Sequence, residues 1–100
     1  MDQDTNSVDH PAVAQVQEGQ TRYFGSITEG GMSSGTHGLL YWVRFASDKP
    51  QKNFFSTWPE WAYELAKEAC LYNKPVMVLA NDPEPQGGSI VQVLIRTTPA

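Results

Sequence analysis

Ser33, Ser34, His37 and Asp82 supply, on paper, a hydroxyl, an imidazole and a carboxylate, the parts of a nucleophilic triad. Nothing near them supplies a sharp strand-to-helix turn for the nucleophile or N–H groups for an oxyanion, so acyl-transfer chemistry is set aside. His37 could ligate a metal, but the only other histidine is His10 and no third ligand stands at a suitable spacing. A surface histidine is the better reading. Asp82 and Glu84 make half of a calcium site, and two acids in a turn-rich segment are far more often solvated. No catalytic residue, metal or cofactor is expected, and the chain is read as non-enzymatic.

Groups suited to binding are better represented. Tyr23, Phe24, Tyr41, Trp42, Phe54, Phe55 and Trp58 lie close together in sequence, interleaved with Arg22 and Arg44. Core packing takes most of them, because alternate strand positions must point inward. One or two facing outward beside Arg44 or Arg22 would make a stacking platform for a sugar or a base. Between Gly30 and Gly38 runs GGMSSGTHG, the least ordinary composition in the chain. It leads into a strand-like run rather than opening a helix, which argues against a phosphate cradle. It reads first as a flexible hairpin tip.

The elements that position these groups start with one strong helix signal, STWPEWAYELAKEACLYNKP over 56–75. Thr57 and Glu60 have the spacing of a capping box, and Pro59 suits a first turn that needs no N–H. Ala62, Leu65, Ala66, Ala69 and Tyr72 follow the spacing of one buried face, leaving Tyr63, Glu64, Lys67 and Glu68 outside. Asn73 and Pro75 end the helix. Strand-like runs fall at 21–29, 39–47 and 51–56 before it, and at 75–81 and 89–98 after it. The expected fold is therefore mainly β with one helix: a five-stranded antiparallel barrel of the oligonucleotide/oligosaccharide-binding (OB) type, with the helix between strands three and four. In such a barrel the loop after strand one and the loop between the last two strands, here 81–88, flank the ligand face. Ser33, Ser34, Thr36, His37, Tyr41, Trp42, Arg44 and Asp82 are accordingly the candidate ligand-binding residues.

One hundred residues suffice for one domain. The net charge of −4 comes from Asp2, Asp4, Asp9 and Glu18, because seven acids balance seven bases from Thr21 onward. Residues 1–20 read as an acidic, polar leader, loosely attached or packed on a neighbouring subunit. Within it, Val8, Ala12, Val13, Ala14 and Val16 could add a short strand. Residues 21–100 form the barrel. No apolar run approaches membrane-spanning length. The start lacks the pattern of a secretory signal, which suggests a cytoplasmic protein, or a secreted one if the chain is a processed form. The single cysteine, Cys70, leaves no intrachain disulfide and reads as a half-buried small hydrophobe. Trp42, Leu40, Ile90 and Leu94 would fall on the outer face of the strands, and contiguous exposed apolar surface of that kind marks an interface. A homo-oligomer is expected.

The order of strand, glycine-rich loop, aromatic strand, short strand, helix, strand, hairpin and strand resembles the pentameric B subunits of A-plus-five-B bacterial toxins. PEWAYELAKEACLYNKPVMVLAND and SIVQVLIRT carry the resemblance, which spans residues 21–98. It implies an OB barrel, a pentamer-like ring and glycan binding. Those subunits are secreted and usually hold a disulfide, whereas this chain shows neither a signal nor a second cysteine. The expected function is that of a non-enzymatic, oligomeric OB-fold binding or assembly protein with a glycan or protein ligand. The alternatives are a single-stranded nucleic-acid binder, disfavoured by the lack of a basic groove, and a purely structural ring subunit.

Overall fold

The computed structural model describes residues 14–97. Most of the leader, with Val8, Ala12 and Val13, lies outside the described residues, and Ala14 and Val16 belong to no strand. Five strands follow: β1 (Gln20–Gly35), β2 (Gly38–Lys49), β3 (Gln51–Thr57), β4 (Pro75–Asn81) and β5 (Ile90–Ile95). The helix α1 (Glu60–Leu71) sits between β3 and β4, as expected. All strands belong to one antiparallel sheet in the order β3-β2-β1-β4-β5. β3 and β5 are its edges, so no pairing closes the barrel, and the architecture is OB-like with an open seam. A hydrogen bond from Ser56 Oγ to the Pro85 carbonyl, 2.9 Å, ties the end of β3 to the β4–β5 loop. No helix among the described residues is long and apolar enough to cross a membrane.

β1 carries the topology because it pairs along both edges. Its first half, Gln20 to Ser26, runs against β4, and Phe24 to Gly35 runs against β2. The change of neighbour needs a local irregularity, and the β1–β2 register shifts between Phe24 and Gly25. At that point the two backbones nearly touch. A Cβ on residue 25 would lie 2.0 Å from the Ala46 carbonyl oxygen. Only glycine permits the approach.

The GGMSSGTHG segment is not a loose tip. β1 continues through it to Gly35, in register with Gly38 to Val43 of β2, and only Thr36 and His37 make the turn. The result is a two-stranded arm on which residues of both faces, Met32, Ser33, Ser34, Leu39 and Leu40, are exposed. Its ladder satisfies the backbone groups that a flexible loop would leave to water.

Inside the sheet, Tyr23, Phe45, Phe54 and Trp58 form the aromatic centre. Tyr23 meets Phe54 edge-on at 5.2 Å, and Phe45 contacts Phe54 and Trp58, each at 6.1 Å. Val43, Val76, Val78 and the helix residues Ala62, Tyr63, Ala66 and Ala69 complete this core. Two expectations for the helix are corrected. Tyr63 is buried in the core, its ring 5.2 Å from that of Tyr41 on β2. Tyr72 is 68% exposed, since the helix ends there and Asn73 turns away at φ 53°. The capping box is also absent. Thr57 still belongs to β3, opposite Trp42, and Pro59 is the N-cap without a side-chain cap.

The other face of β4 is buried as well: Met77 is 1% and Leu79 0% exposed. Phe24 and Leu94 stand opposite Met77, and Arg22 and Gln92 opposite Leu79. The Arg96 guanidinium lies over the Phe24 ring at 5.6 Å. Arg22 donates to the Ala14 carbonyl, and the Ala14 N–H donates to Gln92 Oε1 at 2.9 Å, so residue 14 is pinned across this layer. Of the apolar groups expected outside, Ile90 is instead buried (6% exposed) in the inner core, because a register irregularity at Leu79/Ala80 sets it opposite Ala80. Leu94 is partly covered, and Leu40 remains exposed.

Replacing Gly25 by alanine forces the β1 and β2 backbones apart. Gly25→Ala is expected to cost about 3 kcal/mol of stability, the upper part of the overpacking range, as measured by urea denaturation.

Candidate functional site

Alternation along β2 sends Tyr41, Val43 and Phe45 inward and Trp42 and Arg44 outward. On β3 the same rule buries Phe54 and turns Phe55 out, 54% exposed. The ladders then bring the outward residues together. Arg44 is opposite both Phe55 of β3 and Glu29 of β1, and Trp42 is opposite Gly31.

The outcome is a row of planar groups. The Trp42 and Phe55 rings lie 5.3 Å apart, inclined at 32°. The Arg44 guanidinium sits over Phe55, 4.2 Å from the ring centroid, and its Nε donates to Glu29 Oε1 at 2.9 Å. Trp42 Nε1 donates to Ser33 Oγ at 2.8 Å. Beside the rings an open concavity of about 180 Å³ is lined by Glu29, Gly30, Gly31, Met32, Trp42 and Phe55. The ion pair is roughly half exposed, so it fixes geometry more than it stabilises the fold. One cation and one anion leave the platform electrically neutral.

The structure gathers three of the eight candidate residues here: Ser33, Trp42 and Arg44. Ser34 pairs with Leu39 on the other face of the arm, and Thr36 and His37 lie at its turn. Tyr41 points inward against Tyr63. Asp82 accepts a hydrogen bond from Thr21 Oγ1 at 2.5 Å, near the start of β1, well away from the platform. Ser33 and Asp82 thus serve different ends of the strand, and no triad assembles. Asp82 acts on a neighbour instead. Burial pushes the Tyr23 phenol above its ordinary range, a hydrogen bond with Thr21 opposes this, and the charges of Asp82 and Glu84 add to it. Among the described residues no three His, Cys, Asp or Glu side chains cluster as a metal site would require. Cys70 is partly buried against the core.

Phe55, Glu29 and Gly31 line the candidate site although none is among the eight candidates, Phe55 being named only within the aromatic group. The signal for Phe55 lay in the Phe54-Phe55 pair, since adjacent strand residues face opposite ways and one aromatic ring had to be outside. Glu29 and Gly31 needed the β1–β2 register, and that depends on the irregularities at Gly25 and between Ile27 and Glu29.

Comparison with protein-family models, with curated proteins and with solved structures returns no match for this chain.

Outward placement separates the platform from the core in energy. Trp42→Ala is expected to change stability by no more than about 1 kcal/mol, whereas Phe45→Ala should cost about 3–5 kcal/mol. Parallel denaturation curves check both values.

Proposed function

We propose that this chain is a non-enzymatic binding protein whose ligand stacks on Trp42 and Phe55, and that the ligand is a glycan. One observation carries the reading: two aromatic rings face outward on β2 and β3, locked beside an arginine and a carboxylate. The strand 2–3 face is where OB-like barrels take oligosaccharides and oligonucleotides. A sugar presents an apolar ring face to the aromatic pair and hydroxyls to polar neighbours. Glu29 accepts from such hydroxyls, Arg44 donates to them, and Ser33 does either. The neutrality of the platform suits an uncharged ligand.

Single-stranded nucleic acid is the second reading, favoured by the aromatic pair beside an arginine, an arrangement on which bases also stack. It is disfavoured by charge. Glu29 occupies Arg44, and phosphate neutralisation by a basic groove supplies most nucleic-acid affinity. A glycan array and an oligothymidylate titration separate the two. Glycan binding that is lost in Trp42→Ala and Phe55→Ala and is insensitive to salt is expected. An array without hits, or oligonucleotide affinity that falls steeply with salt, would overturn the glycan reading.

Self-association is the second part of the proposal, supported by Met32, Leu39 and Leu40, which are exposed on the arm. Native mass spectrometry is expected to give a closed homo-oligomer; a monomer at micromolar concentration removes this part.

A further inference from the structure

Glycine inside a strand weakens it, so each such position calls for a physical reason. At Gly25 the reason is the Ala46 carbonyl, and at Gly35 a Cβ would crowd the Gly38 carbonyl oxygen and Leu40, each within 3.2 Å. Gly38 needs its φ of +124°. Neither kind of reason holds at Gly31. Its φ lies outside the left-handed region, and a Cβ built on it meets nothing within 4 Å. A Cβ has room there, and a β-branched side chain would favour the strand.

The space that side chain would fill is the concavity beside Trp42, its partner across the ladder. At about 180 Å³ it is smaller than the roughly 300–1,000 Å³ of pockets that enclose drug-sized ligands, and it has room for one ring only. We infer that Gly31 is the floor of a subsite for a single uncharged sugar ring, which lies over the bare backbone against Trp42 and Phe55 with Glu29 at its edge. Close approach of a ligand to the backbone is one of the reasons for glycine in a strand, and the open space at residue 31 favours it here. Residue 31 therefore decides which rings enter. The inference rests on the glycan reading above and adds a place and a size to it.

The test uses the full chain and tetrasaccharides of glucose, galactose and N-acetylglucosamine, followed through the Trp42 indole N–H resonance, which Trp42→Phe identifies. Gly31→Val is expected to keep or raise the melting temperature while weakening tetrasaccharide binding at least tenfold, with Gly31→Ala between it and the parent. Stability and affinity thus move in opposite directions, which a merely structural glycine does not produce. Unchanged affinity in Gly31→Val, with binding lost in Phe55→Ala, overturns the subsite and leaves the platform standing. Unchanged affinity in both variants overturns the platform as well. If no tetrasaccharide shifts the Trp42 resonance, the glycan reading and the subsite fall together.

Discussion

The near-contact of the β1 and β2 backbones at Gly25 is the constraint on which the other features depend. A strand can be shared by two neighbours in a strongly curved sheet only if it bends, and a bend compresses its concave side. Here the compressed point is residue 25, where no Cβ could be accommodated beside the Ala46 carbonyl. Past it, β1 leaves β4 behind and continues with β2. The register set there puts Glu29 opposite Arg44, and Gly31 opposite Trp42. A slip of one residue would send both to the other face of the sheet.

The outer surface of the sheet divides into two halves with opposite treatment. Over β4, Met77 and Leu79 are buried, flanked across the ladders by Phe24, Leu94, Arg22 and Gln92, with the Arg96 guanidinium over the Phe24 ring. Burying side chains of this size contributes about 1.5–3 kcal/mol each, so the cover is part of the fold's stability. Arginine suits the task because its stem is apolar and its head can reach water or a carbonyl. Over β2 and β3 no such cover lies among the described residues, and Phe55 stays open to solvent beside a half-buried Trp42. Hydrophobic burial accounts for the first half. It gives no reason for the second, where Phe55 is more than half exposed.

Element types and order were legible in the sequence because their signals are local. Alternation marks β2, Asn73 ends the helix, and an apolar run marks β4. What escaped depends on tertiary partners. The arm reads as a loop because glycine and serine are turn formers, and nothing local tells that Leu40 and Leu39 pair with Ser33 and Ser34. Helix spacing alone puts Tyr63 outside, because the ring that receives it, Tyr41, belongs to a distant strand. For the site, Trp42, Arg44 and Ser33 were recognisable by type and position. The same alternation that turns Trp42 outward turns Tyr41 inward. Asp82 lies apart from them because the loop that bears it turns toward the start of β1.

Each planar group on the open face is held by another: Ser33 holds the indole, Arg44 lies on Phe55, and Glu29 holds Arg44. Side chains free to sample rotamers in solution lose that freedom on binding, at about 0.5–1.5 kcal/mol for each one immobilised. In this chain of contacts most of that entropy is already lost during folding. An incoming partner meets a surface whose torsions are preset, so a small area of contact can translate into a longer residence time than its size suggests.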